Sequence, residues 1–222
     1  MFICVEGCLG VGKAAFVRLC SQFLPCVPVY EETERNPFLD AFYHAPNRKL
    51  FAEHLQYTFL FMLDWQFRQA QQLAQSGKTV LCNFHPLKNL VYGHVILPEE
   101  KRAEFLRRYH ELAIPQPDLL IYLKADEHTI LSRIRKRHDP YCDQIDITYV
   151  IQILSAYEAF FRTYKGPYLC LETSHLDYTH PSAAMEVYLR QIMHFLHMPP
   201  SARPRSSGRQ TAPIIVRPEV GS

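Results

Sequence analysis

Residues Gly7-Cys8-Leu9-Gly10-Val11-Gly12-Lys13-Ala14 follow the pattern G-x-x-x-x-G-K-[ST] up to its last position. In that pattern glycines let backbone N–H groups wrap phosphate oxygens, and the Lys reaches the β- and γ-phosphates. The closing Ser/Thr hydroxyl goes to Mg²⁺. Here Ala14 stands in place of the hydroxyl. The stretch predicts nucleotide-phosphate binding by Gly7, Gly10, Gly12, Lys13 and Ala14, with metal placement weakened. Its flanks agree. Met1-Phe2-Ile3-Cys4-Val5 is an apolar run suited to a buried parallel strand. Residues 14–20 continue as a helix with apolar residues at helical spacing, and Pro25 and Pro28 stop it. Strand, glycine turn and helix bring backbone N–H groups and a positive helix end to one point.

Outward from the loop, apolar runs of strand length recur at 27–30, 79–82, 119–123 and 168–171. Helical patterns lie between and beyond them, at 37–43, 50–75, 98–113, 127–137, 147–164 and 181–196. Strands alternating with helices predict an α/β fold of the P-loop NTPase kind: three layers, αβα, around a five-stranded parallel sheet. In such a sheet ligands bind beyond the carboxyl ends of the strands. Residues just after each strand therefore carry most of the chemistry.

Composition bounds the rest. A chain of 222 residues suits one domain, and no apolar run approaches a membrane span. Glu6 interrupts the first apolar stretch and no basic start precedes it, which argues against a signal peptide. Seven cysteines without a C-x-x-C pair speak against a disulfide framework or a zinc site. Reduced thiols and a cytoplasmic location are expected. Cys8 reads either as a reactive thiol beside a helix start or as a small residue that the loop tolerates. The net charge is +2, but residues 199–222 hold four arginines against Glu219, or +3, which leaves −1 for residues 1–198. That Pro/Ser/Arg-rich tail lacks periodicity and is expected to be disordered. It would suit nucleic acid or an acidic partner, yet a solvated tail is the plainer reading, and no specific nucleic-acid binding is expected.

Several residues carry candidate chemistry on position alone. Glu31 follows the second strand and reads either as a general base for a hydroxyl attacking a γ-phosphate or as a helix N-terminal charge. Gln56, in an otherwise apolar helix, would read a flat base edge through two hydrogen bonds or be a satisfied core amide. Arg133 and Arg137 share one helix face; they would clamp phosphates or form a solvated helix end. His194 and His197 lack further ligands and read as surface histidines, so no metal ligand is assigned.

Taken together these pieces resemble the deoxyribonucleoside kinase family, closest to its bacterial deoxyadenosine/deoxyguanosine branch, with herpesvirus-type thymidine kinases sharing the general fold. The resemblance runs from Phe2 to about Leu196. It rests on Val5-Glu6-Gly7, on Tyr30-Glu31 followed by Asn36-Pro37-Phe38-Leu39, and on Phe42-Tyr43. It continues through Leu55-Gln56, Phe59-Leu60, Pro117-Asp118-Leu119-Leu120-Ile121-Tyr122-Leu123, Arg133-Ile134 through Arg137, Tyr149 and Ala156-Tyr157-Glu158. The resemblance implies transfer of a phosphoryl group from ATP, with Mg²⁺, to the 5′-hydroxyl of a deoxynucleoside. By position, Glu31 would be the base, Gln56 would pair with the nucleobase and Tyr43 would hold the 3′-hydroxyl. Lys13 would bind donor phosphates, and Arg133 and Arg137 would close as arginines of a lid. A homodimer through long helices is also implied, with 50–75 as the candidate interface.

The chain departs from the family pattern at four places. Ala14 lacks the loop hydroxyl, and Cys82-Asn83-Phe84 lacks the acidic motif after the third strand, so that Asn83 as well as Ala14 sits where metal would be managed; Asn83 and Lys88, which fits some bacterial members, are expected to contact substrate. Asp139 stands where a third lid arginine is usual, and Cys142 replaces a glutamate that helps to hold the sugar. The residues thus allow two further readings beside an active kinase: a nucleotide-binding homologue with little catalysis, and a nucleoside monophosphate kinase. Gln56 and Glu31 favour a nucleoside acceptor over the last.

Overall fold

In the computed structural model, residues 1–137, 142–178, 182–197 and 214–216 are described. An all-parallel sheet forms the middle layer, in the order β2-β3-β1-β4-β5-β6. The strands are β1 (Phe2–Glu6), β2 (Val27–Val29), β3 (Val80–Cys82), β4 (Leu119–Lys124), β5 (Tyr168–Glu172) and β6 (Ile214–Val216). β1 lies centrally, pairing with β3 on one side and β4 on the other. Its five residues are all buried, which explains why Phe2–Val5 are apolar in succession rather than alternating.

Five strands were expected and six are present among the described residues. The sixth, Ile214–Val216, pairs in parallel with Leu169–Leu171 of β5. The rest of the tail, 199–222, lies outside the described residues, as does Asp139.

Helices α1 (Lys13–Cys20), α2 (Leu39–His44), α3 (Lys49–Gln75), α4 (Lys88–Ile96), α5 (Glu99–Glu111), α6 (Glu127–Lys136), α7 (Ile147–Thr163) and α8 (Ala183–His197) connect the strands. Asp126 and Asp146 cap α6 and α7, accepting from the backbone N–H groups of Thr129 and Tyr149. Most follow the expected spans within two residues. α4 has no counterpart among the expected helices. Its apolar residues run round every face, because α3, α5 and α7 all pack on it, so no polar stripe marks it as helical.

One main core joins the sheet to the helices on both faces, with Phe16, Phe67, Phe84 and Tyr157 fully buried. Among the described residues no helix is long and apolar enough to cross a membrane.

Candidate active site

The turn after β1 places the phosphate loop at the carboxyl edge of the sheet. Gly12 has φ +105°, a left-handed conformation that side chains resist, and a Cβ there would lie 2.3 Å from the Tyr178 ring. Gly7 has φ +148°, and a Cβ would lie 2.4 Å from the Leu123 carbonyl oxygen. Both glycines are therefore required by the backbone path. Among the described residues the N–H groups of Gly10, Gly12, Lys13 and Ala14 make no backbone hydrogen bond. They form a ready nest for anionic oxygens. Ala14, exposed in the first turn of α1, offers only a methyl group there. The Lys13 ammonium folds across the loop, donating to the carbonyls of Gly7 at 2.7 Å and Cys8 at 3.3 Å. Desolvation pulls its affinity for the proton down, partly offset by Glu6 and Glu31. Burial raises the Cys8 thiol to about 12, so of its two readings the tolerated small residue holds.

Glu6, which ends β1, is fully buried. Its carboxylate accepts from the Gly7 N–H at 3.1 Å, the His85 N–H at 2.6 Å and the Tyr157 hydroxyl at 2.8 Å. Desolvation raises this carboxyl, opposed by Lys13, Lys88 and the donors. All three neighbours are donors, which suits the ionised, acceptor-only form. His85 is buried, and burial lowers its imidazole to about 3; its Nδ1 accepts from the Leu87 N–H at 2.9 Å. The loop is also held by the Tyr92 hydroxyl, which accepts from the Leu9 N–H at 3.1 Å. Sequence reasoning met Glu6 as an interruption in an apolar run and as part of the Val5-Glu6-Gly7 match, and gave it no role in the site. An acid that ends a buried strand, just before a phosphate loop, was the available signal.

Across the cleft Glu31 follows β2, as expected. Its backbone N–H donates to Asn83 Oδ1 at 2.6 Å, and its Oε1 pairs with Lys88 Nζ at 2.5 Å. Lys88 is itself seated between the rings of Phe59 and Tyr92, 5.3 and 5.6 Å from their centroids. Four candidate residues thus meet: Lys13, Glu31, Asn83 and Lys88. Asn83, read as a weakened metal position, is used as a backbone clamp, and Lys88, read as a substrate contact, pairs with the expected base.

Gln56 lies one helical turn before Phe59 on α3, on the same face. It is 1% exposed, and its Oε1 finds no partner among the described residues. A buried amide acceptor left unpaired is costly, and so the reading as a satisfied core amide does not hold for that atom. Asn36 braces the neighbouring turn, donating to the Leu55 carbonyl at 3.0 Å. Tyr43 is half-buried, edge-on to Phe42, and adjoins Tyr149, whose phenol is raised by burial and then by Tyr43.

The two arginines separate. Arg137 is exposed at the end of α6. Arg133 points behind the phosphate loop, donating to the carbonyls of Val11 at 3.0 Å, Thr173 at 2.6 Å and Leu176 at 2.8 Å. The backbone of Cys142 begins a short 3₁₀ turn, Cys142–Gln144.

Among the described residues no cluster of three or more His, Cys, Asp or Glu side chains is placed to hold an ion. Ala14 has no oxygen ligand and Asn83 Oδ1 is occupied by Glu31, so the residues present do not fit a protein-held Mg²⁺.

A phosphate nest with its Lys, facing a carboxylate held by a cation at the next strand end, defines a phosphoryl-transfer enzyme of the P-loop class. The family model for deoxynucleoside kinase matches residues 3–197, and the chain belongs to that family. It is similar to a deoxyguanosine kinase of Bacillus subtilis (strain 168), 31% identical over 163 residues, which cover 71% of this chain and 76% of that protein. A deoxyadenosine/deoxycytidine kinase of the same organism is 25% identical over 210 residues, 88% of this chain and 93% of the other. Among solved structures, that of M. mycoides deoxyadenosine kinase with products dCMP and a flexible dCDP superposes with TM-score 0.76 at 21% identity. It covers 87% of this chain and 100% of the other. The fold is therefore the α/β fold expected. The chain is a phosphotransferase of a family whose phosphate donor is ATP.

Proposed function

We propose that this chain transfers the γ-phosphoryl group of ATP to the 5′-hydroxyl of a deoxyribonucleoside. The observation that carries the reading is Glu31, fixed by Asn83 and Lys88 at the strand end beside the phosphate nest. The ion pair uses Oε1, which leaves Oε2 to take the proton of the attacking hydroxyl. Lys13 and the loop N–H groups orient the donor phosphates and stabilise charge as it spreads over the transferring group. Gln56 supplies an unpaired acceptor to a nucleobase edge, Tyr43 takes the sugar, and Arg137 closes from α6. ATP is taken as its Mg²⁺ complex, with the ion held by phosphates and water.

Incubation with Mg²⁺-ATP and each of the four deoxynucleosides tests this. Monophosphate should form with at least one acceptor and be lost in Glu31→Gln. No product with any acceptor, or full activity in that variant, would refute it.

We also infer a homodimer. α3, the expected interface, exposes Leu50, Phe61 and Trp65, and a groove of about 680 Å³ between α4, α5 and α7 exposes Leu106 and Ile151. Sedimentation of Trp65→Lys and Ile151→Lys tells which face pairs, and a monomeric wild type sinks the inference. The described cysteines are all thiols, in keeping with an intracellular, cytoplasmic location.

A further inference from the structure

The Val11 carbonyl has an unusual place. Residue 11 precedes α1 by two, and in a continuing helix its oxygen would accept from the Ala15 N–H. That bond is not formed among the described residues. The oxygen instead accepts from Arg133 at 3.0 Å and from the Tyr178 hydroxyl at 3.2 Å. Both donors come from far along the chain, one from α6 and one from the segment after β5.

They are also tied to each other. The Arg133 guanidinium lies 5.1 Å from the centre of the Tyr178 ring. The ring rests on Gly12, where a Cβ would lie 2.3 Å from Cε2, and meets Phe16 of α1 edge-on at 6.5 Å. Arg133 is anchored in turn by the carbonyls of Thr173 and Leu176.

A trans peptide points its C=O and N–H to opposite sides. Drawing the Val11 oxygen behind the loop therefore turns the Gly12 N–H to the loop's inner side. We propose that Arg133 and Tyr178 are a positioning pair for ATP: they hold the Val11–Gly12 peptide so that its N–H meets a donor phosphate oxygen. The inference rests on the kinase reading above, and it gives Arg133 a place behind the loop in place of the expected phosphate clamp.

The pair makes a distinctive pattern of effects. Removing one of two donors to a shared acceptor should weaken phosphate binding about three- to tenfold. The two losses should not multiply, because residues meeting at one atom are coupled. Calorimetric titration of ATP and of inorganic tripolyphosphate would be run on wild type, Tyr178→Phe, Arg133→Lys and the double variant, with thermal melts to confirm folding. Both ligands should weaken alike in each single variant. The ATP KM should rise while the deoxynucleoside KM stays constant, and the double variant should lose less than the product of the single losses.

Unchanged affinity in folded Tyr178→Phe would overturn the proposal. So would a fall in kcat for Arg133→Lys at constant ATP affinity, which is the signature of a clamp on the transferring group. A wild type that binds ATP but makes no monophosphate would refute the kinase reading alone, and the titrations would still decide the pair. A wild type that binds neither ligand would overturn both.

Discussion

Replacing Gln56 by Met should stabilise the protein and damage the enzyme at once. The side chain is 1% exposed and its Oε1 has no partner among the described residues. A buried polar atom in that condition costs about 1–3 kcal/mol. Met is close in shape and equally content in a helix, so the substitution removes the penalty with little change in packing. For a domain of this size each kcal/mol moves Tm by about 2–4 °C, which gives a rise of roughly 2–12 °C. Binding should move the other way. Loss of a two-bond contact to a nucleobase forfeits about 1–3 kcal/mol, or roughly 5- to 150-fold in the deoxynucleoside KM. The ATP KM should hold. Thermal melts and steady-state kinetics with varied acceptor read both quantities. A lower Tm with an unchanged acceptor KM would refute the reasoning, because it would make Gln56 a structural amide.

Tyr157→Phe removes one of the donors to buried Glu6 and should cost about 1.5–3 kcal/mol in urea titrations at pH 7, as for a hydrogen bond to a charged group. Burial raises the Glu6 carboxyl above its ordinary 4.5, so the cost of its ionised form is relieved as pH falls through the raised value toward 4.5. The gap between variant and wild type should therefore narrow on acidification, and a gap that widens would contradict the assignment. Lys88→Met leaves Glu31 without its 2.5 Å partner and should lower kcat by about 10²-fold through misplacement of the base, with Lys88→Arg losing less; equal activity in both would refute the orienting role. Ala14→Ser returns a hydroxyl to the first turn of α1 and should raise kcat/KM for Mg²⁺-ATP; an unchanged rate at saturating and subsaturating Mg²⁺ would mean that the hydroxyl is not what limits the ion.

The phosphate loop was legible because its demands are local. Gly7 and Gly12 occupy left-handed conformations with no room for a Cβ, and Lys13 follows by motif. Glu31 was legible as the acid after a strand, since a parallel sheet gathers its chemistry at one edge. What supports these residues was not. Glu6 meets Tyr157 across 151 positions and His85 across 79, and no spacing rule joins them. Arg133 shared a helix face with Arg137, which suggested a common task, but a helix face does not say which carbonyls wait behind it. α4 escaped because burial on several sides erased its periodicity. The sixth strand escaped because three apolar residues in a Pro/Arg-rich tail carry too little pattern to stand out.

The separations that hide these contacts from sequence also order events in time. The Val11 carbonyl finds its donors 122 and 167 positions later. At about 5–20 residues per second of synthesis, the loop leaves the ribosome roughly 10–30 s before Tyr178 exists. During that interval the nest has no backing, and a nucleotide would find no shaped receptor. The nucleotide-binding segment is thus made well before the contacts that finish it. Folding should then be slow, as distant pairings require, and ATP added during refolding should act only on the final phase.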